Sequence, residues 1–257
     1  MRFATAPALL LDVFDLHDRD RIVTFLTAER GKVRGVARGA RRKYSRFAGQ
    51  LQPLAKVALT WFEKEGRDLA RITGVELLRP ARRLNSTLEG ILMGGYLADH
   101  MLEFAQENEA SDASFRLLDS SLEALEAGVD LGLAARYYET WVLRLAGIFP
   151  PPRQCPQCGR SLGPEEGAVL GPAGEALLCA ACGADAPGAL RVSPAALDFL
   201  RRTAREGLAA IASRPPEPAV LAEVEALAAR VRRAFLGHEL KSHGVMQRTL
   251  GEAGLGR

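Results

Sequence analysis

Arg30-Gly-Lys-Val-Arg-Gly-Val-Ala-Arg-Gly-Ala-Arg-Arg-Lys-Tyr-Ser-Arg46 contains eight basic residues and no acidic one. They are Arg30, Lys32, Arg34, Arg38, Arg41, Arg42, Lys43 and Arg46. Lys32, Arg34, Val36 and Arg38 share one parity, and Val33, Gly35, Ala37 and Gly39 share the other. As a strand, whose side chains alternate between faces, the run has one cationic face and one face of small residues suited to a tightly curved barrel wall. Past Gly39 the cations continue through Arg41, Arg42 and Lys43 into a loop with Tyr44 and Phe47. Cations on one face with aromatics nearby are what a polyanion-binding groove requires. A charged edge strand that repels edge-to-edge pairing is the plainer alternative, but one or two charges of either sign would serve that purpose.

Working outward, further apolar runs lie at about 7–14, 21–28, 50–62 and 68–78, with 32–39 as the third of five. Turn signals separate them: His17 to Asp20, Glu29 to Gly31, the Gly39-to-Gly49 loop, and the segment around Gly66. Five β segments in under eighty residues, with the longest gap between the third and fourth, fit a small oligonucleotide-binding (OB) type barrel. The gap has room for the short helix that such barrels often place there. Most aromatics here (Phe3, Phe14, Phe25, Trp61, Phe62) are expected in the barrel core, leaving Tyr44 and Phe47 as the candidate base-stackers.

Charge follows the same division. Residues 1–80 hold 16 Lys or Arg against 9 Asp or Glu, and the remainder holds 18 against 22. A basic first third beside an acidic remainder assigns one domain to the polyanion. Twenty-nine of the 34 cations are Arg, whose fork grips phosphates and stacks on bases. No apolar run approaches the roughly 20 residues of a membrane span, and the N-terminus lacks the pattern of a secretory signal. The expected location is the cytosol.

From Ala81 the pattern takes a helical period. Ser86-Thr-Leu-Glu89 has capping-box spacing, Ser111 or Asp112 caps a second series ending at Gly128, and a third runs from Leu131 to Gly147. Ser193-Pro194 starts a helix to about Ser213, and a last one covers about Ala219 to His243. The expected class is α+β, with a barrel domain at 1–80 and a helical domain at 81–257.

Into that helical domain, at about 150–190, are inserted all four cysteines. Cys155-x2-Cys158 and Cys179-x2-Cys182 have the spacing of a four-thiolate zinc site. Gly159 and Gly183 suit tight knuckles after each pair. Disulfides do not fit a cytosolic chain, and a dithiol redox role needs one reactive pair. Four thiolates fill the tetrahedron, so a single zinc here is structural.

Signatures of catalysis are missing. The chain has no GxxxxGK[ST], GxGxxG, HExxH or GxSxG. The carboxylates Asp12, Asp15, Asp18 and Asp20 could be imagined at a two-metal site, but Arg19 and Arg21 lie among them and the cluster falls in a turn. The expectation is a protein that acts through binding energy, not an enzyme.

Three motifs in order resemble the bacterial recombination mediator family RecO. Asp18 to Arg41 is similar to its N-terminal barrel, with an acidic pair, an apolar strand ending in Thr27, a Gly31-Lys32 turn and an Ala37-Arg38-Gly39-Ala40-Arg41 strand end. Leu143 to Pro150 before Cys155 and Cys158 is similar to its leucine-glycine-proline lead. His238 to Ser242 is similar to its C-terminal lysine-serine helix end. One departure is that His17-Asp18 stands where members more often have Gly-Glu. The resemblance implies annealing of complementary strands, interaction with the single-stranded DNA-binding protein, and RecA loading together with RecR. On the residues alone two other classes stay open: an RNA- or ribosome-associated barrel, and an adaptor whose basic face docks acidic tails.

Overall fold

The computed structural model describes residues 2–64 and 66–252. Five strands come first: β1 (Arg2–Leu16), β2 (Asp20–Thr27), β3 (Gly31–Ala37), β4 (Lys56–Glu63) and β5 (Ala70–Arg79). A 3-10 turn at Leu84–Ser86 leads to α1 (Leu88–Phe104), α2 (Asp112–Glu126) and α3 (Leu131–Leu145). The cysteine segment forms β6 (Ala168–Leu170), β7 (Leu177–Cys179), α4 (Ala180–Gly183) and β8 (Leu190–Val192). Four helices follow: α5 (Pro194–Thr203), α6 (Leu208–Ala212), α7 (Pro218–Leu236) and α8 (Lys241–Glu252).

The five strands close into a barrel in the order β1-β2-β3-β5-β4, with β3 and β5 parallel and every other pair antiparallel. Its core holds Leu10, Val23, Phe25, Val33, Val57, Leu59, Trp61 and Ile72, with Trp61 set edge-on to Phe25. Inward and outward positions alternate along β3 as its parity predicts: Val33, Gly35 and Ala37 are buried, and Arg34 is exposed. Gly35 lets β3 approach β5 closely, since a Cβ there would lie 3.0 Å from Ile72 Cγ1 on that neighbouring strand. Along β1 the alternation turns over. A bulge between Leu10 and Asp12 shifts the register, so the inward set runs Ala4, Ala6, Ala8 and Leu10 before it and Val13 after it. Phe3 and Phe14 therefore both point outward, 70% and 40% exposed, against the expectation of core positions. Trp61 and Phe25 are core as expected, and Phe62 is half-buried.

The gap between β3 and β4 contains successive turns and no helix. Arg42 N, Ser45 N, Ala48 N and Gln50 N each bond to the carbonyl three residues back. Phe47, 2% exposed, drops from this loop into the barrel core. In the β1–β2 turn His17 takes a left-handed φ of 52°, a conformation for which glycine is the natural residue.

The described residues up to Glu126 and from Lys241 onward form one compact unit, and Ala127–Leu240 forms the other. In the first, α1 and α2 pack beside the barrel and α8 packs on α1. Thr87, one residue later than the expected cap, accepts from Gly90 N at 3.0 Å, because the Ser86 hydroxyl turns back to the Arg83 carbonyl. The single last helix expected over Ala219–His243 is two helices: Gly237, at φ 76°, ends α7. Lys241-Ser242 consequently opens α8 and does not end a helix. Asp99 Oδ2 caps it, accepting from Ser242 N at 3.1 Å and Ser242 Oγ at 2.6 Å.

In the second unit α3 packs on α7 and α5, with Tyr138, Leu143, Leu197, Phe199, Val224 and Leu227 buried. Ser193 caps α5 as expected, but that helix ends at Thr203 and resumes as α6 after Gly207. The small sheet β7-β6-β8 forms the floor of the cysteine module. The module is tied to its helices by Arg201, whose Nε donates to the Pro152 carbonyl at 3.0 Å, and by Glu223, which accepts from Ser193 N at 2.9 Å.

Candidate nucleic-acid interface and metal centre

The basic segment divides by fate. Arg34 and Arg38 are exposed on the outer side of the β3 edge of the barrel, and Arg42, Lys43 and Arg46 are exposed in the loop beyond. Arg34, Arg38, Arg42, Lys43 and Arg46 form no ion pair with a described carboxylate. Arg41 is half satisfied: its Nε lies 3.2 Å from Asp15 Oδ2, and it donates to the His17 carbonyl at 2.8 Å. Lys32 points back into the fold, donating from Nζ to the Leu102 carbonyl at 2.5 Å. Burial pushes its ammonium below the usual lysine range, against the upward pull of Glu107 and Glu103. Lys32 is thus a structural donor and not a groove cation. Tyr44 is 89% exposed, with Lys43 Nζ 5.6 Å from its ring centre. Phe47 has no face left for a base: it is core, and the Arg46 guanidinium sits 5.0 Å from its ring.

Three clefts line this wall and share Arg67. The first, about 1020 Å³, lies among the β1–β2 turn, the end of β3 and the β4–β5 loop, with Arg38, Arg42 and Arg67 on its walls. The second, about 1010 Å³, is lined by Arg34, Lys64 and Arg67 with Glu63 and Glu107. The third, about 320 Å³, is lined by Arg38, Lys64, Arg67 and Arg71 with Val36 and Phe62. Lys64, Arg67 and Arg71 escape a reading by local pattern, since they flank a turn signal about twenty residues after the end of the basic run. Only the parallel β3–β5 pairing, which sets Val36 opposite Arg71, brings them to the same wall. The only sign in the sequence was three more cations around Gly66.

The aspartates serve the turn. Asp15 pairs with Arg21 at 3.1 Å and Arg41 at 3.2 Å, and Asp20 accepts from Gly39 N at 2.8 Å. Among the described residues the cysteines are the one cluster able to hold a metal ion.

The four sulfurs of Cys155, Cys158, Cys179 and Cys182 lie within 4.8 Å of one another, with Cys158 and Cys179 3.7 Å apart. A tetrahedron with metal–sulfur bonds of about 2.3 Å has edges of about 3.8 Å, so the donor set fits such an ion. A disulfide would need about 2.05 Å. Cys155 sits in a tight knuckle closed by Gly159 at φ 74°, whose amide donates to the Cys155 carbonyl at 2.9 Å. Cys179 ends β7 and Cys182 lies on α4. Gly183 has a different role from the expected turn: a Cβ there would lie 2.5 Å from Val169 Cβ, so it permits α4 to lie against β6. The backbone amide of Cys179 lowers the Cys155 thiol to about 6, and that of Cys182 lowers the Cys179 thiol. The neighbouring sulfurs push Cys182 up to about 12. Amides aimed at sulfur favour thiolates, which is the form that binds metal.

These features define a class: an OB-type barrel with a basic wall that has no described carboxylate partner, joined in one chain to a helical unit that carries a four-cysteine cluster able to hold a metal ion. Residues 1–81 match the family model Recombination protein O N terminal, and residues 85–244 match Recombination protein O C terminal. Proteins named DNA repair protein RecO from Anaeromyxobacter dehalogenans, Geobacter sulfurreducens and Symbiobacterium thermophilum are 38%, 32% and 31% identical to the chain. Those matches span 98%, 82% and 79% of it and 97%, 84% and 80% of the relatives. The chain belongs to the RecO family of DNA repair proteins. The boundary between the two family models falls near residue 81, where the strand pattern gives way to the helical one, whereas the compact units divide after Glu126.

Proposed function

We propose that this protein is a recombination mediator: it binds single-stranded DNA without reading sequence, anneals complementary strands, and acts with RecR to load RecA on DNA coated by the single-stranded DNA-binding protein. The observation that carries this reading is the set of barrel cations, Arg34, Arg38, Arg42, Lys64, Arg67 and Arg71, that line adjoining clefts without a described carboxylate partner. Phosphates are the partners such a wall lacks. Contacts of this kind position a strand and carry no base information. Neutralising both backbones lowers the repulsion between two strands, so annealing follows from binding alone. No bond is made or broken by the protein on this reading, and two of the four aspartates that could have suggested a nuclease are engaged in the turn, Asp15 by Arg21 and Arg41 and Asp20 by the Gly39 amide.

Cys155, Cys158, Cys179 and Cys182 would hold one zinc ion. Bound by four thiolates, it would supply a cross-link and leave no position for water. What the residues contribute is anchorage: the knuckles fix β6, β7 and α4 to one another. No helix among the described residues is long and apolar enough to cross a membrane, and a location in the cytoplasm, with the nucleoid during repair, accompanies this reading.

The test is annealing of complementary oligonucleotides, bare and coated with single-stranded DNA-binding protein, without nucleotide. The expected result is accelerated pairing in both cases, no strand cleavage, and weaker competition by RNA than by DNA of equal length. No acceleration on either substrate, or equal competition by RNA, would overturn the reading.

A further inference from the structure

The register of the barrel places six outward residues in one row across the strands. Phe14 on β1 stands opposite Ile22 on β2, Ile22 opposite Val36 on β3, and Val36 opposite Arg71 on β5. Arg71 stands opposite Phe62 on β4, and Phe62 opposite Phe3 at the other end of β1. Residues directly opposite in a sheet point to the same side, so this is a continuous outward band. The Phe3 and Phe62 rings are 5.4 Å apart, and the Arg71 guanidinium sits 5.8 Å from the Phe62 ring. Phe3 is 70% exposed on the sheet. Core packing does not explain an aromatic here, since Phe3 alternates with the inward Ala4, Ala6, Ala8 and Leu10 and so lies outside the barrel interior. The band is also continuous with the basic wall: Phe62, Arg71 and Val36 line the same cleft as Arg38, Lys64 and Arg67.

We propose that Phe3, Phe62 and Arg71 form a stacking platform for the unpaired bases of the strand whose phosphates the neighbouring arginines hold. This rests on the single-strand reading above and gives that site its second half. Every base has a π face, so two rings and a planar guanidinium accept any sequence. A duplex, with its bases stacked inside, cannot use them. The platform thereby selects single strands over duplex where the phosphate cradle alone would not.

The test compares an ordinary single-stranded oligonucleotide with one of the same length built of abasic sites, which keeps the phosphates and lacks the bases. Wild-type protein is expected to bind the ordinary strand at least about 5-fold more tightly, within the range of about 5- to 150-fold per stacked base. Phe3→Ala, which removes an exposed ring, and Phe62→Leu, which keeps an apolar side chain, should each erode that preference. Neither should change affinity for the abasic strand. Arg71→Lys should erode it too, although the charge is kept. Equal binding of both strands by wild-type protein would overturn the platform and leave the phosphate wall standing. An undiminished preference in folded Phe3→Ala and Phe62→Leu variants would also overturn it. Failure of wild-type protein to bind either strand would overturn both readings.

Discussion

The exposed arginines of the barrel wall and the buried arginines of the helical unit have opposite roles. In the helical unit Arg232 is 1% exposed and paired with Glu239, and Arg136 is buried between Glu139, at 2.7 Å, and Glu225. Arg144 donates to the Thr203 hydroxyl and the Leu200 carbonyl, and Arg201 to two carbonyls of the cysteine segment. Their donors are consumed by the fold. On the barrel wall Arg34, Arg38 and Arg67 are exposed and pair with no described carboxylate. The side chain is the same in both places. A buried paired arginine is structural, since removing one member of a buried pair leaves an uncompensated charge, whereas a cluster of exposed arginines lining adjoining clefts keeps its donors available to a ligand.

The comparison can be broken at the cysteine module first, where the largest effect is expected. Cys179→Ser should remove the metal and destabilise the helical unit by more than about 4 kcal/mol, within the range of losses that follow removal of a structural metal. Protons compete with the metal for thiolates, so release from the wild-type protein should grow as pH falls and reverse as it rises. Elemental analysis together with thermal unfolding checks both. Binding of single strands by the folded barrel should stay close to that of wild type. A protein purified without chelator but holding far less than one equivalent of metal would contradict the account. A smaller loss is expected at Arg232→Ala: about 1–3 kcal/mol of stability, because a buried guanidinium site is emptied and Glu239 keeps only the Arg233 side chain at 3.6 Å and the Leu240 amide, with strand affinity per folded molecule unchanged. Denaturant unfolding would measure it, and a shift under about 1 kcal/mol would mean the pair is better solvated than its burial indicates.

How much of this was legible in the sequence depends on whether the signal was local. The alternation at Val33, Gly35 and Ala37 marked β3 because inside and outside differ at every step of a curved wall. The cysteine spacing marked the knuckles because a four-thiolate site needs two short loops. Phe47 was not legible, since a ring among cations reads the same whether it covers a base or fills the core. Phe14 was hidden by the bulge at Leu10–Asp12, which reverses parity partway along one strand. The contribution of Lys64, Arg67 and Arg71 was hidden by the parallel β3–β5 pairing, and the start of α8 by a cap, Asp99, that lies 143 residues away from Ser242.

Single-strand binding measured across a salt series tests the central claim most directly. About four to six phosphate contacts give the wild-type protein a slope of log affinity against log salt of roughly −3 to −4, at about −0.7 per contact. Replacing Arg34, Arg38 and Arg67 together by Ala should make the slope shallower by about two, while stability moves by no more than about 0.5 kcal/mol per site, as at exposed positions generally. Lys32→Met, which removes a charge of the same segment that faces Leu102, should leave the slope where it was. A triple variant with intact melting and the wild-type slope, or a Lys32→Met variant that flattens it as much, would contradict the assignment of the unpaired barrel arginines as the DNA-binding wall.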